Sequence, residues 1–223
     1  MPATTEILVC PLTPGSDIGS ESNEASQILK EVGSTLRRTD GVQQIQFGMQ
    51  VEKPDVFQLL VHWDSVDHHK TFMATEEYKP FLNRFLTIVG GDLQMMHAKL
   101  EPSGELTKAL SAPVTEIATF YFGSDGAPEG YVEGVGKFKE VMEKEKSDGY
   151  VAAAVGLTVE DNVKSPAKDD VEGKAAVLVI GWESVEKHMK FRETATFKDN
   201  LHYLRNGVKD VEMHHVTFMN FVE

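Results

Sequence analysis

The sequence predicts an α+β fold built from two tandem copies of one half-size unit, and three observations carry that reading. First, Val61-His62-Trp63-Asp64-Ser65-Val66 reappears as Ile180-Gly181-Trp182-Glu183-Ser184-Val185. The match runs on through Thr75, Tyr78, Lys79 and Leu82 against Thr194, Phe197, Lys198 and Leu201, all at a spacing of 119 residues. Second, flanking segments bracket this block: Thr5-Glu6-Ile7 with Thr115-Glu116-Ile117, 41–52 with 149–160, and Met95-Met96-His97 with Met213-His214-His215. Third, strand-like and helix-like patterns follow one another in the same order in both copies, which is how an internal repeat announces itself.

The elements follow in order. A largely apolar run at 6–12, and again at 116–122, predicts a first strand. Ala25, Ile28, Leu29, Val32 and Leu36 then share one helical face, and Tyr131, Val135, Phe138 and Met142 repeat the pattern despite Gly134 and Gly136. Gly41 and Gly149 open two strands that end at Trp63 and Trp182. Ser65 and Ser184 stand where an N-cap belongs, and Asp67 and Glu186 meet the dipole of the helix that follows. Tyr78, Phe81, Leu82 and Phe85 continue a helical stripe, and last strands are predicted at 94–100 and 212–218.

Each copy therefore reads β-α-β-β-α-β, the split βαβ or ferredoxin-like arrangement. The expected division is a first repeat at 1–102, a linker at 103–113 and a second repeat at 114–223. The spacing between copies grows from 108 at Gly41 and Gly149 to 119 at the tryptophans, so the second copy holds an insertion. Its polar, turn-rich stretch at 161–173 reads as a lengthened surface loop. Strands such as Val56-Phe57-Gln58-Leu59-Leu60-Val61 are apolar on nearly every residue, so both sheet faces should be covered. Helices cover one face only. The other is expected to meet the second copy's sheet, giving an intrachain pseudo-dimer with no need of a second chain, though further homodimerisation stays open.

Composition narrows the function. The 223 residues carry a net charge of −13 spread along the chain, which repels phosphate backbones and anionic lipid, so neither nucleic acid nor a membrane is expected as partner. The single cysteine, Cys10, lies in the apolar run Ile7-Leu8-Val9-Cys10 and reads as a small buried hydrophobe; no intramolecular disulfide can form. With no signal-like N-terminus and no apolar run near 18 residues, the expected location is the cytoplasm.

The segment Trp63-x-Ser65-x-Asp67-x-His69-x-x-Phe72-x-x-Thr75-x-x-Tyr78, with its copy Trp182-x-Ser184-x-Glu186-x-His188-x-x-Phe191-x-x-Thr194-x-x-Phe197, resembles the dimeric α+β barrel superfamily. In particular it is similar to the antibiotic-biosynthesis-monooxygenase-like (ABM) domains, in which two chains usually pair. The resemblance implies a pair of ferredoxin-like repeats forming an intrachain dimeric α+β barrel. It says little about activity, because the superfamily spans cofactor-free monooxygenases, haem-degrading enzymes, polyketide cyclases, isomerases and stress-induced proteins. The haem-degrading branch implies a ligating His where Leu82 and Leu201 stand, and His202 is one residue out of that register, so haem is disfavoured.

Histidines are the obvious acid-base groups near neutral pH. His69 and His188 recur in both copies and read as structural helix-to-strand contacts, with His69 also a candidate pocket residue. Trp63, Phe72, Phe85, Trp182 and His215 complete the expected substrate-binding set. Differences between copies point to chemistry: His62 faces Gly181 and Tyr78 faces Phe197, so the first copy is expected to hold the working site. In the superfamily's polyketide cyclases a last-strand His with a Tyr acts on enolisable substrates, and His97 with Tyr78 resembles that pair. The catalytic candidates are accordingly His62, Tyr78 and His97. His214 and His215 point to opposite strand faces, no His/Asp/Glu group has ligand spacing, and no metal or other cofactor is expected. The expected function is a cofactor-independent monooxygenase or a cyclase/isomerase acting on a small apolar, aromatic or polyketide-like compound. The alternative is a non-catalytic, stress-related ligand-binding protein.

Overall fold

The computed structural model describes residues 4–221, which form two compact units: the chain up to His97 together with the segment from Met219 on, and Ala98–Phe218. In the first unit β1 (Thr4–Pro11) leads to α1 (Glu24–Arg38), then β2 (Val42–Met49), β3 (Val56–Trp63), α2 (Val66–Met73), α3 (Tyr78–Leu86) and β4 (Gln94–Ala98). Its sheet has the order β2-β3-β1-β4. Asn23 caps α1 by accepting from Ala25 N–H, Glu24 sits in the first turn and Arg37 and Arg38 in the last, so both ends meet the dipole. Ala25, Ile28, Val32 and Leu36 fall on one face and are buried with Leu8, Cys10, Phe57, Val61 and Trp63 in one core.

The second unit opens with α4 (Ser103–Leu110), then repeats the order: β5 (Val114–Tyr121), α5 (Tyr131–Lys144) and β6 (Tyr150–Leu157), a short hairpin β7 (Val163–Lys164) and β8 (Glu172–Gly173), β9 (Ala175–Trp182), α6 (Val185–Glu193), α7 (Ala195–Asn200), α8 (His202–Arg205) and β10 (Asp210–Val216). Its sheet runs β10-β5-β9-β6, the order of the first. Thr4 opposite Trp63 corresponds to Val114 opposite Trp182, and both second strands carry a bulge at the same place, between Val42 and Gln44 and between Tyr150 and Ala152. Each bulge follows a glycine at positive φ, Gly41 at 82° and Gly149 at 79°, where a Cβ would strike the His68 or Lys187 side chain. A final strand, β11 (Met219–Asn220), pairs with β2 and extends the first sheet to five strands.

The structure departs from the sequence reading at several places. The segment expected to be a linker contains α4, whose Leu106, Ala109 and Leu110 are buried against β6 and β9. The insertion is more than a surface loop: it pairs as β7 and β8, and buries Val163 and Val171. Its Ser165 hydroxyl donates to the Asp210 carboxylate. Ser184 caps α6 by accepting from Lys187 N–H, whereas the Ser65 hydroxyl pairs with His68 Nδ1 and caps nothing. Cys10 is buried, and burial pushes its thiol up to about 12, so it packs as a hydrophobe.

Candidate active site

Side-chain alternation on β1 turns Glu6, Leu8 and Cys10 toward the helices. A glutamate on such a face needs partners, because burying a carboxylate without them costs several kcal/mol. Trp63, on the neighbouring strand, donates its Nε1–H to Glu6 Oε2 at 2.8 Å. His69, one turn into α2, stacks its ring on the Trp63 indole with centroids 4.9 Å apart and planes at 15°. His97 reaches the same point from β4, and its Nε2 shares a hydrogen bond with His69 Nδ1 at 2.8 Å. His69 Nδ1 also stands 3.5 Å from Glu6 Oε2. Three elements thus bring a buried acid and two buried imidazoles together on one indole.

The second unit builds the same constellation. Trp182 Nε1 donates to Glu116 Oε2 at 2.9 Å, His188 stacks on Trp182 at 4.8 Å, and His188 Nδ1 bonds His215 Nε2 at 2.7 Å. One detail differs. Glu116 Oε2 approaches His188 at Nε2, 3.3 Å away, the ring nitrogen opposite the one His215 holds.

A cavity lies against each constellation. In the first unit it measures about 270 Å3, and Glu6 and His69 form the polar part of a wall otherwise built from Leu59, Phe72, Phe81 and Phe85. Tyr78 closes it; burial first, and the Glu6 carboxylate second, hold its phenol above the ordinary value, so it stays a proton donor. In the second unit a cavity of about 380 Å3 is walled by Glu116, His188, Phe120 and Leu201. Phe197 stands there in place of Tyr78, and Arg192 and Arg205 flank it.

Of the residues singled out from the sequence, Tyr78, His69, Phe72 and Phe85 line the first cavity. His97 stands one hydrogen bond behind the wall, and His215 does the same in the second unit. Trp63 and Trp182 are wholly buried beneath the acid and the stacked imidazole, outside both cavity walls.

His62 is a correction. It points to the opposite face of β3 from Trp63 and lines neither cavity. Gln46 Oε1 can only accept, so His62 Nε2–H donates to it at 3.0 Å and Nδ1 accepts from the Thr5 hydroxyl at 3.1 Å. Burial alone lowers its pKa to about 4, which keeps it neutral. Its counterpart Gly181 is no sign of a decayed site: a Cβ there would sit 2.7 Å from Ala109 Cα, because α4 packs on that face.

The absence of a ligand cluster expected from sequence spacing is also corrected, since Glu6, His69 and His97 present ligand atoms within 4.8 Å of one another. Sequence reasoning missed Glu6 and Glu116. The signal was present, as an acidic residue repeated inside two apolar first strands. Leu82 and Leu201 line the two cavities where a haem ligand would be needed, and His202 is exposed.

Two tandem split βαβ units, each with its strand-end tryptophan, helix histidine and sheet-to-helix cavity, have the fold per unit that the resemblance to ABM-like domains implies. The whole chain is similar to the crystal structure of an anthrone oxidase-like protein, at 14% identity with a TM-score of 0.69, covering 100% of this chain and 97% of that one. It is likewise similar to candidate monooxygenases from Fusobacterium nucleatum (11% identity, TM-score 0.57, 99% and 97% covered) and Lactobacillus acidophilus (11%, 0.55, 99% and 96%). No family model and no curated protein matches the sequence. At these identities the likeness establishes the fold, so the chemistry has to be argued from the site.

Proposed function

We propose that the chain is a small-molecule enzyme that removes a proton from an apolar, enolisable or phenolic compound held in the first cavity, and that the resulting anion reacts onward with dioxygen. The observation that carries this reading is a largely apolar cavity whose polar wall is a buried carboxylate and imidazole, faced by a phenol held in its protonated form. Glu6 and His69 stand where an acidic C–H or O–H of the ligand would lie, His97 behind His69 accepts or returns the proton, and Tyr78 donates to the oxygen on which charge develops. Each proton leaving the substrate thus has a named holder, and no step passes through a cofactor.

The anthrone oxidase-like neighbour suggests the probe. Anthrone is a tricyclic ketone whose enol is a phenol. Loss of its proton gives an enolate, addition of dioxygen gives a hydroperoxide, and loss of water gives anthraquinone, one dioxygen consumed per ketone. Anaerobic mixing isolates the first step: the wild-type protein should raise the absorbance of the enolate before oxygen is admitted. His69→Ala should slow its appearance roughly 100- to 10,000-fold, the usual contribution of a positioned base. Equal rates for the two proteins would remove the assignment.

A second reading suits the second cavity. With Phe197 where the first has Tyr78, it keeps the acid and both imidazoles but lacks the phenol donor, which favours ligand binding without turnover there. We also propose a reducing, cytosolic setting, in keeping with the single buried Cys10. Among the described residues no helix is long and apolar enough to cross a membrane.

A further inference from the structure

We propose that Glu6, His69 and His97 form a binding site for one divalent transition-metal ion per chain, of the Zn2+ or Fe2+ class, opening onto the first cavity. This goes beyond the proton-transfer reading and does not depend on it. The three side chains come from β1, α2 and β4, all are buried, and their ligand atoms lie within 4.8 Å of one another. Two imidazole nitrogens and one carboxylate are the donor set that suits such ions, whereas Ca2+ and Mg2+ prefer oxygen throughout.

The distances fit an ion. His69 Nδ1 and His97 Nε2 are 2.8 Å apart, and Glu6 Oε2 is 3.5 Å from His69 Nδ1. With metal–ligand bonds of about 2.1 Å, these two separations subtend about 85° and about 110° at the ion, close to the octahedral and tetrahedral values respectively. A second layer is already present. Trp63 Nε1–H holds the Glu6 oxygen, and its indole fixes the plane of the His69 ring, the orienting contacts that metal-binding carboxylates and imidazoles need. Three protein ligands leave positions for water or substrate, and Glu6 and His69 border the cavity from which these would come.

The second unit serves as an internal control. Its Glu116, His188 and His215 are the same residue types on equivalent elements, yet Glu116 meets His188 at Nε2 while His215 meets it at Nδ1. The two nitrogens of one imidazole point away from each other and cannot bind one ion together, so this set does not chelate. The ion and the shared proton compete for His69 Nδ1, which means that loading the site withdraws His69 and His97 from proton transfer.

The test uses untagged, chelator-treated full-length protein titrated with Co2+, whose visible d–d bands report the ligand field, and with Zn2+ by calorimetry. One equivalent should bind with high-energy visible bands, Zn2+ should displace Co2+, and Glu6→Gln or His97→Ala should weaken binding at least 100-fold. Trp63→Phe should weaken it about 10-fold, while Glu116→Gln should leave it unchanged. Circular dichroism and the Tm of each variant identify any that fail to fold, and the conservative Glu6→Gln change keeps shape at the site. No binding by the wild type, binding unaffected by Glu6→Gln, or two equivalent sites per chain would each overturn the proposal. Because the readout needs no substrate, its failure is distinguishable from a failure of the enzymatic reading.

Discussion

At the scale of single residues, burial decides which histidine does what. His62 has both ring nitrogens paired and lies away from either cavity, so its effect should be on stability and not on turnover. Its pKa in the folded protein is lowered to about 4, while the unfolded chain restores about 6.5. Between these values the unfolded state binds more protons, so stability falls as pH drops through that window, by about 3 kcal/mol in all. Replacing His62 with Gln, which keeps hydrogen bonding to Thr5 and Gln46 but cannot titrate, should flatten this part of the stability-against-pH curve in urea titrations. An unchanged slope would show that other groups control it. The glycine opposite it in the repeat makes a complementary prediction. Gly181→Ala forces a methyl to 2.7 Å from Ala109 Cα and 2.9 Å from its carbonyl oxygen, and overpacking of this kind costs about 1–3 kcal/mol. A loss in that range should appear as a lower denaturation midpoint at unchanged m-value.

At the scale of elements, most of the molecule was legible because the sequence states it twice. Strands β1, β3, β5 and β9, helices α1 and α5 and the turn glycines Gly41 and Gly149 all follow from periodicity read in parallel copies. What occurs once was harder to see. Helix α4 has no counterpart to be compared with, and its buried residues Leu106, Ala109 and Leu110 are too short a stripe to distinguish from a linker. The β7–β8 hairpin is two residues on each side, below the length at which alternation is visible. The site was half legible: Tyr78, His69 and Phe72 stood in a motif, whereas Glu6 acquires meaning only when β3 and α2 bring Trp63 and His69 to it. Helix α5 carries a prediction of its own. Gly136 lies in its interior, and a Cβ there would meet no atom within 4 Å. Gly136→Ala should therefore stabilise by up to about 1 kcal/mol and raise Tm by about 2 to 4 °C. A fall in Tm would mean that the space is not open.

At the scale of the whole molecule, the repeat sets two nearly identical constellations in one chain and lets them differ in a few side chains. Tyr78 against Phe197, and the nitrogen of the helix histidine that faces the glutamate, separate a unit proposed to turn over substrate from one proposed to bind. Of the two differences that the sequence offered for placing the working site in the first copy, His62 against Gly181 lies away from the cavities and Tyr78 against Phe197 lies in them, while Glu116, His188 and His215 keep the second constellation. Duplication also supplies the control that a single-repeat protein would lack. The most direct measurement is therefore the initial rate of dioxygen uptake with the same tricyclic ketone, compared between Glu6→Gln and Glu116→Gln in otherwise unchanged full-length protein. Placing the chemistry at the first cavity predicts a rate lowered roughly 100-fold or more by Glu6→Gln and little changed by Glu116→Gln. Equal losses in both variants, or wild-type uptake no faster than the uncatalysed reaction, would contradict it.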